Sequence, residues 1–463
     1  MLQTFKNAWR TKDIRSKLIF TAIILLIYRI GTVIPVPFVD AHGFSGQFNG
    51  TILDQMNILS GGSLAAATLF ALGVQPYINA SIIMQLLAVA FPKLGELSKD
   101  EQGKKKMNMI TRIVTVGLAL VTAIGYYFLL KRGQLLSAVA TKEGFSQWFC
   151  GAVIIACYCA GASLIMWLGE RINEKGIGNG ISMILFANII SVIPSSIYAL
   201  VTTLVIPAFS TINDLVWLRA TSAILLALAI IAITIAMTVF IVWVTGSERR
   251  IPVQYAKKVV GRKMYGGQFS NLPIKLNMTG VMPVIFASSI VALVPTILQL
   301  CGVTETQTNF WGKLAKFMAA DGWFYPTMLF LLIIGFAYFY TQITFNPIEV
   351  ANNLKKQGGA IPGIRQGRPT ADYIRKVLNK ITFVGALFLG VIAILPIIAA
   401  PHILSHLINL ILDIGSYEGY AESIASQFTF GGTSLLIVVG VVLETFRELE
   451  AQLTMRNYKG FLN

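Results

Sequence analysis

Ten apolar runs, separated by charged or glycine- and proline-rich connections, set the plan of this chain: residues 18–34, 73–91, 110–130, 148–168, 181–204, 220–244, 282–300, 324–344, 381–400 and 431–443. A helix needs roughly 20 apolar residues to cross a bilayer, so these runs read as transmembrane spans. Pro194 interrupts the fifth. The tenth is short before Glu444 and is predicted to continue as an amphipathic helix through Phe446 and Leu449. Stretch 402–414 is too short to be an eleventh span and contains His406, Asn409 and Asp413, which predicts an interfacial helix outside the membrane.

The pattern breaks most sharply between residues 52 and 91, an apolar stretch interrupted by Gly61-Gly62 and by Gly73-Val74-Gln75-Pro76. Its first half also carries Asp54, Gln55, Asn57, Ser60 and Ser63. Proline removes a backbone donor and glycine loosens a helix, which leaves polar backbone unpaired at membrane depth. Lipid cannot satisfy such groups. The stretch therefore reads as two half-helices lining a cavity inside a bundle.

Composition and charge sharpen this map. With 55% hydrophobic and 13% charged residues and a mean hydropathy of +0.69, the chain is a polytopic membrane protein. Of the 37 lysines and arginines, 29 fall in the N-terminal segment and the connections after even-numbered spans, against 6 after odd-numbered spans; Arg29 and Arg112 lie within spans. This asymmetry predicts both termini in the cytoplasm. No small-residue cleavage site follows the first run, so that run is expected to stay as an anchor. Ten spans divide into halves at 1–205 and 206–444, with a tail at 445–463. Five spans per half force opposite insertion of the two halves, the plan of an inverted repeat with its pathway at the interface.

Several residues carry more than one reading. Arg29 in the first span is a snorkelling or packing arginine, or a functional intramembrane charge. The four cysteines, Cys150, Cys157, Cys159 and Cys301, have no metal or disulfide spacing and read as small core hydrophobes. His42, His402 and His406 have no zinc spacing, and no cofactor is implied. Gly176-Ile177-Gly178-Asn179-Gly180 looks like a phosphate turn, but no strand precedes it, so it is expected to cap the fifth span. Two long cytoplasmic connections, 245–276 and 345–380, mix cations with glycine, proline and tyrosine, which suits ordered loops meeting an acidic partner as well as topology-setting charge. The spans lack buried carboxylates, which counts against a proton-coupled carrier.

Six strings in order resemble the bacterial SecY family, the pore subunit of the general protein translocon: RIGTVIPVP (29–37), SGGSLAAATLFALGVQPYINASIIMQLL (60–87), MWLGERINEKGIGNGIS (166–182), NMTGVMPVIFASSI (277–290), NPIEVANNLKKQGGAIPGIRQG (346–367) and FGGTSLLIVVGVVLE (430–444). The resemblance implies an all-α polytopic protein whose two five-span halves clamp an hourglass pore. A short plug helix closes the pore on the outer side. It maps to about 51–64, where Asp54, Asn57, Ser60, Gly61, Gly62 and Ser63 would let it leave the pore without dragging large apolar area into water. Carried over on the motifs, the pore ring is Val74, Ile78, Ile181, Leu185, Ile285 and Ile437, with Val74 and Leu185 standing where isoleucine is common in the family. A lateral gate is implied between spans 2 and 3 and spans 7 and 8, with Asn79, Ser81, Gln85 and Asn277 along the seam. In the basic loops the resemblance implies docking of the ribosome or the SecA motor through Arg249, Arg250, Lys257, Lys258, Arg365 and Arg368. The resemblance further implies SecE and SecG as small membrane partners, and signal sequences, nascent chains and lipid as the other ligands. The implied function is a passive, non-enzymatic protein-conducting channel in the bacterial cytoplasmic membrane. A secondary transporter for a small solute and a membrane scaffold are the rival readings.

Overall fold

A computed structural model describes residues 2–40, 52–97, 100–137, 140, 145–202, 216–255, 258–260, 263–265, 269–303, 307, 309–319, 322–399 and 431–459. Each of the ten predicted spans is a helix: Lys12–Gly31, Gln75–Ala90, Glu101–Arg132, Phe145–Lys175, Gly180–Leu200, Val216–Gly246, Met282–Leu300, Phe324–Thr344, Arg368–Ala399 and Gly431–Lys459, called spans 1 to 10. Among the described residues, seven helices are long and apolar enough to cross a membrane on those grounds alone. Spans 1 and 10 carry more charge, and the helix of span 2 has 16 residues.

The interrupted stretch is resolved differently from the expectation of two half-helices. Its first part is a helix of only 8 residues, Ile52–Leu59, followed by turns up to Val74. Pro76 then sits in the first turn of span 2, where a backbone N–H has no intrahelical partner in any case, so the proline costs that helix nothing. Pro194 likewise does not end span 5, which runs through it to Leu200. Span 10 continues past Glu444, as its amphipathic pattern predicts. Asn179 caps span 5 by accepting from the backbone N–H groups of Ile181 and Ser182, so the glycine-rich turn is a helix cap.

Span 7 is the axis of the bundle. In its most apolar window 67% of residues are buried, against 17% for span 6 at the periphery. The main core draws on nine of the ten spans, from Ile24 and Tyr28 in span 1 to Leu436 and Ile437 in span 10. A second core lies in the N-terminal half, where spans 3 and 4 enclose the segment around Leu53, Leu64, Ala67 and Leu72.

The fold is not purely helical. The connection after span 6 is a hairpin, β1 (Glu248–Tyr255) and β4 (Phe269–Lys275), with a two-stranded ribbon of β2 (Lys258–Val260) and β3 (Lys263–Tyr265) between them. β5 (Gly359–Ala360), from the connection after span 8, adds to the other edge of β1 through Gln254–Ala360 and Tyr255–Gly359. The two basic connections are therefore one body. Its core is Ile251, Val253, Ile274, Leu354, Ile361, Ile374 and Leu378. Of the cysteines only Cys150 is buried; Cys157 and Cys159 of span 4 are half-buried, and Cys301, the residue that follows span 7, is exposed. The three histidines and stretch 402–414 lie outside the described residues.

Candidate functional site

Five of the six aliphatic residues expected to form the ring are buried in the main core: Val74, Ile78, Leu185, Ile285 and Ile437, none more than 4% exposed. Ile181 is half-buried and packs against the same core. Spans 2, 5, 7 and 10 thus bring all six into one apolar cluster. Immediately against it lies the segment that follows the short helix. A void of about 10 Å³ between Met56, Leu59, Ser60 and Gly73 on one side and Val74, Ile78 and Leu185 on the other has room for at most about one water.

The segment from Asn57 to Ser63 is folded on itself by its polar side chains. The Asn57 carboxamide oxygen accepts from the Ala65 N–H at 3.0 Å, and the Ser60 hydroxyl donates to the Asn57 carbonyl at 3.0 Å. Gly61 and Gly62 both have positive φ, +70° and +86°, where glycine is tolerated without a Cβ clash. Ser60 and Ser63 are buried. The backbone of Asp54 lies in the short helix, and its side chain lies outside the described set.

Donors from the spans reach the carbonyls of this segment. Tyr126 of span 3 donates to Leu64 at 2.5 Å, Tyr158 of span 4 to Ala67 at 3.2 Å, and Asn188 of span 5 to Leu59 at 2.7 Å. Arg29 of span 1 donates to Gly61 at 3.4 Å. From span 7 the Thr296 hydroxyl meets the Met56 sulfur at 3.2 Å. None of Tyr126, Tyr158, Asn188 and Thr296 has a local sequence signal, because each is a lone polar group in an apolar run whose partner is distant in sequence.

Along the seam the four expected residues divide. Gln85 donates to Ser81 within span 2 and accepts from the Tyr340 hydroxyl of span 8, so this pair links the two sides. Asn79 faces a cleft of about 900 Å³ between spans 2, 3 and 7, and its carboxamide oxygen is buried with no hydrogen-bond partner. Gln75 on the same cleft is in the same condition. Asn277 is buried at the foot of span 7 and accepts from Thr279 at 3.4 Å, apart from the other three.

In the body formed by the two basic connections, Arg249 and Arg250 on β1 and Arg365 and Arg368 near β5 are exposed, and Arg250 pairs with Glu248 at 2.8 Å. Burial, then the neighbouring Arg447 guanidinium, push the Lys275 ammonium below its usual range, while Glu248 opposes the shift. Lys257 lies outside the described residues, and only the backbone of Lys258 is described.

The family model named SecY matches residues 68–446. A protein translocase subunit SecY of Streptomyces scabiei is 40% identical over 473 residues, covering 100% of both chains. One from Mycobacterium bovis is 41% identical over 475 residues with the same coverage. A solved SecY channel whose plug domain stabilises the closed state overlays with a TM-score of 0.59 at 19% identity, over 94% of this chain and 92% of that one. Sec61 in the canine ribosome-channel complex gives 0.54 at 18%, over 94% and 92%. At these identities the solved structures establish a shared fold.

Proposed function

The chain belongs to the SecY family, and on that premise we propose how its ten spans pass an unfolded polypeptide across the membrane and release apolar segments sideways into lipid. It is a protein-conducting channel of a translocase, not an enzyme. The observation that carries the mechanism is an aliphatic cluster in the bundle, with Val74, Ile78, Ile181, Leu185, Ile285 and Ile437 packed together against a separately folded segment. Aliphatic walls exclude water and ions by dewetting yet bind no passing peptide strongly. Residues 51–64 are the plug, and their departure opens the route between the halves 1–205 and 206–444. The Gln85–Tyr340 link and the cleft at Asn79 support a side door between spans 2 and 3 and spans 7 and 8.

The basic cytoplasmic body is the docking face for whatever drives the chain through. The canine Sec61 complex was captured with a ribosome, and the same class of partner suits exposed Arg249, Arg250, Arg365 and Arg368, which would meet RNA phosphate. The motor SecA would use the same face, and SecE and SecG would clamp the bundle from lipid. The same reading puts both termini on the cytoplasmic side of the cytoplasmic membrane, which the charge asymmetry supports. The test is crosslinking of a stalled translocating chain to cysteines at Ile78 and Ile285. Capture at both supports the conduit; uptake of a small solute by the purified protein alone, without capture, would sink it.

A further inference from the structure

Arg29 and Asn188 are costly residues that neither the ring, the side door nor the docking face uses. Arg29 lies in the last turn of span 1, half-buried, and among the described residues no carboxylate pairs with it. Asn188 is fully buried in span 5, and its carboxamide oxygen has no partner. Charges and unpaired amides at membrane depth need a reason. Their donors supply one. The Asn188 Nδ2 donates to the Leu59 carbonyl at 2.7 Å and to the Tyr28 hydroxyl at 2.9 Å, and Arg29 Nη1 donates to the Gly61 carbonyl. Leu59 ends the helix Ile52–Leu59, and such terminal carbonyls lack intrahelical partners and favour a cation.

We propose that Arg29 and Asn188 form a latch that holds the plug shut by its C-terminal carbonyls, with Gly61-Gly62 as the hinge. The latch rests on the assignment of residues 51–64 as the plug. It reads backbone carbonyls and not side chains, so among plug positions it constrains the glycine at 61 and leaves the side chains of the short helix Ile52–Leu59 free to vary. Beyond the hinge, Tyr126 and Tyr158 hold Leu64 and Ala67 against spans 3 and 4, so that part stays when Leu59 and Gly61 are released, and the short helix is left with the Thr296–Met56 contact and the Asn57–Ala65 hydrogen bond. Position 61 must be glycine on two counts: its φ is positive, and a Cβ would lie 2.9 Å from both Arg29 Nη1 and Asn188 Oδ1.

The test uses the full translocase in membrane vesicles, with Cys150, Cys157, Cys159 and Cys301 replaced and Ile58→Cys as a reporter labelled by a membrane-impermeant thiol reagent from the outer side. Loss of one hydrogen bond of this class shifts an equilibrium about tenfold. Arg29→Gln and Asn188→Leu are expected to raise the labelling rate by about that factor, with Gly61→Ala acting in the same direction and Arg29→Lys less affected. Thr115→Val removes an equally buried hydroxyl of span 3 that bonds only its own helix, and labelling is expected to stay at the parental rate. Parental labelling in both Arg29→Gln and Asn188→Leu overturns the latch, as does an equal rise in Thr115→Val, which would mean general loosening. The plug assignment is checked separately by deleting Leu53 to Ser63 and measuring ion leak in the idle channel. A raised leak with unchanged labelling in the latch variants sinks the latch alone, whereas an unchanged leak sinks the plug and the latch with it.

Discussion

At the scale of single residues, the proposed gate rests on a polar contact between spans 2 and 8. The Tyr340 hydroxyl on Gln85 is a direct side-chain hydrogen bond between span 8 and span 2, and in a bundle such a bond is worth about 1 kcal/mol. Tyr340→Phe keeps the ring and removes only that bond. A signal sequence should then crosslink to span 2 about fivefold more readily under limiting conditions, a shift of about 1 kcal/mol. An unchanged yield would mean the seam is closed by packing alone. Close packing sets a different limit at Gly161 in span 4, where an added Cβ would lie 2.0 Å from the Leu69 backbone carbonyl. Backbone cannot yield as a side chain can, so Gly161→Ala should cost about 1–3 kcal/mol. Denaturant unfolding in detergent reads it, and a parental midpoint would refute the rigid contact.

At the scale of elements, the segment proposed as the plug is a small helix whose trailing carbonyls at Leu59 and Gly61 accept from Asn188 and Arg29. Deleting Leu53 to Ser63 leaves the aliphatic cluster but removes what covers it, so idle ion leak should rise severalfold while the protein still inserts. Conductance of reconstituted vesicles decides it. The spans themselves were legible in sequence because long apolar runs have a physical alternative neither in water nor as open sheet in lipid. The short helix was harder to size, since turns rich in Gly, Ala and Ser have helix-like composition until glycine φ values are known. The sheet escaped sequence reading for a plain reason. β1 contains Pro252 and two arginines, β5 has two residues, and their pairing joins positions about a hundred residues apart through contacts that no local pattern encodes. Asn188 escaped similarly: one amide in an apolar run says that something polar must face it, and only the fold shows that this is Leu59.

At the scale of the whole molecule, charge is sparse around the central aliphatic cluster and concentrated on the body formed by the two basic connections. The union of the two connections through β1 and β5 makes Arg249, Arg250, Arg365 and Arg368 parts of one body, so a partner that grips either loop acts on spans 6 through 9 together. Arg365 lies in a turn pinned from both sides. The Thr370 hydroxyl donates to its carbonyl at 2.8 Å, and Gln366 donates to the Gly359 carbonyl at 3.2 Å, so its side chain projects from a fixed base. Arg365→Glu therefore reverses charge without unfolding the sheet, and motor-driven export should fall by an order of magnitude while membrane insertion and thermal stability stay parental. If binding to ribosomes uses phosphate contacts, each arginine lost should also flatten the dependence of log affinity on log salt by about 0.7 to 0.9. A charge-reversed Arg365 that exports normally, with an unaltered salt slope, would show that the basic face serves membrane orientation alone.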